Sequence, residues 1–116
     1  MEFFEAPAFA RYLSEYLDDE GYRALQQELA SKPEAGDLIP ATGGFRKVRW
    51  ADMRRGKGRR GGLRVIYYHF AAEHQIWLMA LYSKNEAADL TPREKKALKA
   101  AIEGERQARE VARRKL

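Results

Sequence analysis

Hydrophobic and polar positions along the chain fall into two periods. Phe9, Tyr12, Leu13, Tyr16 and Leu17 recur at i, i+3, i+4, i+7 and i+8, the stripe of an amphipathic helix. Asp18-Asp19-Glu20-Gly21 interrupts it with acids suited to a new helix N-terminus. Tyr22, Leu25 and Leu29 then share a face until Ser31-Lys32-Pro33 ends the pattern. Two helices packed as a hairpin are expected, with Phe3-Phe4 before them as a short edge strand.

The middle of the chain changes to a period of two. From Phe45 to Ala51, Val48 and Trp50 alternate with Lys47 and Arg49. The glycine-rich basic stretch from Arg54 to Gly62 reads as a loop. Leu63 to Phe70 and Gln75 to Tyr82 are rich in β-branched and aromatic residues, with Ala71-Ala72-Glu73-His74 as the turn between them. Such short connections predict three consecutive antiparallel strands. The last two are apolar on both faces, so helices must cover at least one side. Thr91-Pro92-Arg93-Glu94 then combines an N-cap, a proline at the first helical position and the glutamate of a capping box. Leu98, Ala101, Ile102 and Val111 are the candidates for the stripe of this last helix, and the tail from about 105 to 116 is expected to fray. The expectation is an α+β fold, residues 1–116 forming one domain: an N-terminal helical hairpin on a small antiparallel sheet, and a C-terminal helix.

Composition narrows the chemistry. With 116 residues, 45% hydrophobic and 34% charged, a single folded soluble domain is expected. There is no cysteine, which excludes disulfides, thiolate metal sites and a cysteine nucleophile. The acidic start, Met1-Glu2-Phe3-Phe4-Glu5, lacks the features of a secretory signal, and the longest apolar run, Ile76 to Tyr82, is far short of a membrane span. A cytoplasmic location and no membrane partner are expected.

Charge is distributed unevenly. The net is +5, yet residues 44–64 hold nine bases and one acid, whereas residues 1–43 hold nine acids and three bases. Seven of those nine bases are arginine, the residue suited to bidentate phosphate contact. Concentrated positive potential attracts polyanions. Tyr67, Tyr68, Tyr82, Phe45 and Trp50 are candidates for base stacking, although most strand aromatics are core.

Other motifs fail on context. Gly56-Lys57-Gly58-Arg59-Arg60-Gly61 matches G-x-G-x-x-G, but it joins two predicted strands instead of opening a helix, and no Lys-Ser or Lys-Thr follows. His69 and His74 are too few for a metal site without a carboxylate cluster, and neither a metal nor a small-molecule cofactor is expected. No serine has a nucleophile-elbow setting.

Three blocks in order carry a resemblance: Thr42-Gly43-Gly44-Phe45-Arg46-Lys47-Val48-Arg49, then Gly56 to Gly62 with Leu63-Arg64-Val65-Ile66-Tyr67-Tyr68, then Tyr82-Ser83-Lys84-Asn85-Glu86 with Asp89-Leu90-Thr91. Together they resemble the RelE/HigB superfamily of toxins from bacterial toxin–antitoxin modules, over about Glu5 to Lys99. The resemblance implies a ribosome-dependent endoribonuclease, an mRNA interferase that cuts mRNA in the ribosomal A site through the substrate's own 2′-hydroxyl and so inhibits translation. Its implied partners are the 70S ribosome, mRNA and a cognate antitoxin protein. It assigns Arg64 to the transition-state phosphate, Lys47 to orienting or deprotonating the 2′-hydroxyl, and Arg49 to a neighbouring phosphate. Tyr82 is the first choice of general acid and His69 the second. Tyr82 would need a lowered pKa or a charged partner for that role. Lys57, Arg59, Arg60, Lys84 and Arg46 are the RNA-binding candidates. The chain departs from the pattern at Asn85, where RelE has an arginine, and at Thr91, where RelE has a tyrosine. The alternative reading is a non-catalytic RNA- or ribosome-binding module using the same basic face.

Overall fold

A computed structural model describes residues 1–51, 62–84 and 89–115. Its elements are β1 (Glu2–Glu5), α1 (Pro7–Tyr16), α2 (Asp19–Ser31), β2 (Asp37–Leu38), β3 (Arg46–Trp50), β4 (Leu63–Phe70), β5 (Gln75–Ser83) and α3 (Pro92–Arg114). The architecture is α+β, with one five-stranded sheet in the order β1-β5-β4-β3-β2.

The sheet is mixed, which corrects the expected antiparallel one. β3, β4 and β5 form the expected antiparallel meander, but β1 joins the β5 edge in parallel, Phe3 opposite Ile76 and Phe4 opposite Trp77. The opening element is therefore a strand. It can be parallel because residues 6–74 separate it from β5, leaving ample length for a crossover. On the other edge, Asp37 and Leu38 pair antiparallel with Lys47 and Arg46 as β2, a strand too short for any periodicity to announce.

Local chemistry starts the helices. Pro7 stands in the first turn of α1, where a missing N–H costs nothing. Asp18 accepts a hydrogen bond from the Gly21 N–H (2.7 Å) to cap α2. Both helices cover one sheet face. Phe9, Tyr16, Leu25 and Leu29 bury themselves against Val48, Leu63, Val65, Tyr67, Ile76 and Leu78. Tyr67 is fully buried, and its hydroxyl accepts from the Gly36 N–H (2.9 Å) and donates to the Pro33 carbonyl (2.7 Å). Both lone-pair and proton capacity of that hydroxyl are thus used inside the core.

A second core lies on the opposite face, where Phe45, Ile66, Tyr68 and Phe70 meet Ile102 of α3. Thr91 begins that helix with a complete capping box: its side chain accepts from the Glu94 N–H (3.1 Å) and Glu94 accepts from the Thr91 N–H (2.8 Å). Gly43 and Gly44, at φ +78° and +116°, turn the chain under α3. A Cβ on Gly43 would lie 2.9 Å from Ile102 Cγ2, so the turn and the helix approach more closely than a side chain allows.

The helix continues to Arg114, through the stretch from about 105 expected to fray. Its second half is held by cations over aromatics. Arg106 donates through Nε to the Tyr68 hydroxyl (2.9 Å) and through Nη2 to the Gly43 carbonyl (2.9 Å). Arg109 lies 3.7 Å over the Phe70 ring and donates to Gln75 Oε1 (2.6 Å). Guanidiniums therefore extend the apolar stripe beyond Ile102 by stacking.

Candidate nucleic-acid interface

Alternation on β3 divides its cations between the two faces. Val48 joins the core under α1 and α2, and Trp50 packs against it, so Lys47 and Arg49 point to the α3 side. The register then sets a row across three strands: Arg49 stands opposite Arg64, and Arg64 opposite Tyr82. Directly opposed residues of antiparallel strands share a face. Lys47 occupies the next row, opposite Ile66, which is opposite Ala80. Three cations and a phenol thus converge on one sheet face.

Tyr82 reaches that face through an irregularity. Leu78 pairs with Tyr67 but Ala80 with Ile66, leaving Met79 as an extra residue, a bulge that reverses the alternation. Ile76 and Leu78 belong to the first core, whereas Ala80 and Tyr82 pack against the second.

The members differ in exposure. Arg49 is exposed, while Arg64 is buried, with Nη1 donating to the Leu63 carbonyl (3.2 Å). The Tyr82 hydroxyl is buried and has no hydrogen-bond partner among the described residues. Burial, and then the charge of Asp89, raise its pKa, with Arg64 pulling the other way. It is therefore protonated near neutral pH, able to donate but a weaker acid than a free tyrosine. The direction is opposite to the lowering that the acid role asks for, and Arg64 is the charged neighbour that partly compensates.

Asp89, quoted in the third block of the resemblance, is a member to which the sequence reading gave no role. Its Oδ1 lies 3.6 Å from Lys47 Nζ and accepts from the Leu90 N–H (2.8 Å). That backbone donor first, and Lys47 second, hold its carboxyl below the usual range. No periodicity relates Lys47 on a strand to Asp89 just before a helix, and only folding brings them together.

Other candidates lie elsewhere. Arg46 shares the parity of Val48, so it points to the helical-pair side, and its Nη1 donates to the Gly36 carbonyl (2.8 Å). Its place is a tie between β3 and the chain after α2, away from Lys47 and Arg49. Lys84 is exposed just past β5, its N–H donating to the Gly62 carbonyl (3.2 Å). His69, with the parity of Leu63, Val65 and Tyr67, faces away from Arg64 and lines a depression with Lys32, Pro33 and Glu34. The structure does not bring it to the cationic row. Lys57, Arg59, Arg60 and Asn85 lie outside the described residues.

Among the described residues, no helix is long and apolar enough to cross a membrane. No family model matches the chain.

Proposed function

We infer that this chain is a toxin of the RelE/HigB type, a ribosome-dependent endoribonuclease acting on mRNA in the A site and neutralised by a cognate antitoxin. The observation that carries the reading is the row Arg49–Arg64–Tyr82 with Lys47 beside it. These are the residues the sequence resemblance names, and they share one face.

The chemistry asks little of the protein beyond such a face. The 2′-oxygen attacks phosphorus, the P–O5′ bond breaks, and a 2′,3′-cyclic phosphate and a 5′-hydroxyl result. One proton leaves the 2′-hydroxyl and one must reach the departing 5′-oxygen. Negative charge grows on the non-bridging oxygens, where each preorganised donor contributes roughly a hundredfold to a thousandfold. Arg64, immobilised by burial, suits that position. Arg49, exposed at the end of the row, suits a flanking phosphate. Lys47, paired with Asp89 at 3.6 Å, suits the role of orienting or deprotonating the 2′-hydroxyl. Tyr82 keeps its proton and is the donor nearest Arg64 in the row.

Burial of the Tyr82 hydroxyl favours a second reading, in which the same face binds RNA or the ribosome without cutting. An in vitro translation reaction with end-labelled mRNA separates the two. Cuts that require both ribosomes and Arg64 are expected, with Arg64→Ala and Lys47→Ala inactive while thermal melts show them folded. Bound but intact mRNA would establish the second reading. Absence of both binding and cleavage, from folded protein, would overturn both.

A further inference from the structure

The Lys47–Asp89 contact places a carboxylate on a face otherwise built for phosphate. Asp89 uses one oxygen, Oδ1, for both the Lys47 ammonium (3.6 Å) and the Leu90 N–H (2.8 Å). Its side chain is 64% exposed and that of Lys47 27%, so the carboxylate is the outer partner and can leave without moving β3. Lys95, in the first turn of α3, also acts on the Asp89 charge. Asp89 and Arg64 act in opposite directions on the Tyr82 hydroxyl. The Asp89 charge therefore sits beside Lys47 and within electrostatic reach of Lys95, with Glu94 also acting on the Tyr82 hydroxyl, where an RNA phosphate would bring a further negative charge.

We propose that Asp89 is a resident counter-anion of this face, pairing with Lys47 in the free protein and giving way to an RNA phosphate when substrate binds. This rests on the RNA-directed reading above and adds a residue that acts through Lys47, a positioning residue in that sense. An exposed ion pair of this kind is weak enough to be exchanged for phosphate. A phosphate and a carboxylate at one ammonium repel each other, which favours displacement of the more exposed carboxylate. The competing account makes Asp89 part of the approach to α3 only, through its bond to Leu90.

Asp89→Asn distinguishes them, because the amide oxygen can still accept from Leu90 N–H while the charge is gone. The probe is a short fluorescein-labelled 2′-O-methyl oligoribonucleotide, which cannot undergo 2′-attack, titrated by anisotropy over a series of salt concentrations. Asp89→Asn should bind about twofold to fivefold tighter at low salt. Its log–log salt slope should stay near that of wild type, because Lys47 meets the same phosphate in both complexes. In a Lys47→Ala background the gain should vanish. Affinity that is unchanged or weaker, or a gain that persists without Lys47, overturns the proposal while wild-type binding keeps the RNA reading intact. No binding by wild type at any salt overturns the counter-anion role, while the RNA reading stands or falls on the translation reaction above. Asp89→Ser, measured in parallel with thermal melts, covers the case in which the amide variant loses stability. A melt that drops while RNA affinity stays fixed assigns Asp89 to the helix start and overturns the counter-anion role.

Discussion

Tyr82 stands directly opposite Arg64 because Met79 is an extra residue in β5. Without that bulge, strict alternation from Ile76 and Leu78 would send Tyr82 toward α1 and α2, beneath the sheet. The side chain that completes the cationic row is thus placed by an irregularity, as bulges often do when they re-aim a residue.

The buried Tyr82 hydroxyl makes a clear prediction. Among the described residues that hydroxyl has no hydrogen-bond partner, and leaving such a group unsatisfied costs about 1–3 kcal/mol, so Tyr82→Phe should melt no lower than wild type. If Tyr82 supplies the leaving-group proton, mRNA cleavage should nevertheless fall by roughly a hundredfold or more. Single-turnover cleavage and thermal melts, run together, check both. Cleavage unchanged in Tyr82→Phe removes the acid assignment.

Arg49 and Arg64 face each other with the same charge. Like charges directly opposite on a sheet are destabilising, by about 0.2–1 kcal/mol. Arg49→Gln is expected to raise stability by about that amount and to weaken RNA binding, the trade-off that marks a functional site. Urea denaturation and the oligoribonucleotide titration read the two effects. A variant that is less stable and binds equally well would show Arg49 to be structural.

Two glycines around α3 should respond in opposite senses. Gly43 has a positive φ and no room for a Cβ against Ile102, so Gly43→Ala should cost about 1–2 kcal/mol or more. A Cβ on Gly104 would meet nothing within 4 Å, and it lies inside a helix. Gly104→Ala should therefore stabilise by about 0.5–1 kcal/mol. Chemical denaturation of both variants tests whether the Gly43 turn locks α3.

His69 ties stability to pH. Burial lowers its pKa, with Arg46 and His74 adding to the lowering and Glu34 opposing it. As pH falls below about 6.5 the unfolded chain takes up the proton first, so the unfolded state binds more protons and gains weight. The stability contributed by neutral His69 is complete above that pH and is lost as pH falls through the folded value. The melting temperature should drop as pH falls below about 6.5, and His69→Gln should flatten the drop. A variant with the wild-type slope would place the titrating group elsewhere.

The sequence by itself determined what depends on neighbours along the chain. The Thr91–Glu94 capping box, the Asp18 break between α1 and α2, and the alternation that separates Lys47 and Arg49 from Val48 are local in chemistry and are found as read. Arg46 belongs to the same alternation, and its parity already pointed away from Lys47. Tertiary structure decided what depends on distant partners. The parallel β1–β5 pairing needs a strand that is one of the last parts of the sheet to be made. The Met79 bulge needs the register of β4, because two residues must compete for one partner. Helix to Arg114 needs Tyr68 and Phe70 beneath Arg106 and Arg109. Asp89 meets Lys47 only when the start of α3 comes to rest beside β3. Periodicity records which face a side chain takes; which charge it will find there is set when the chain closes on itself.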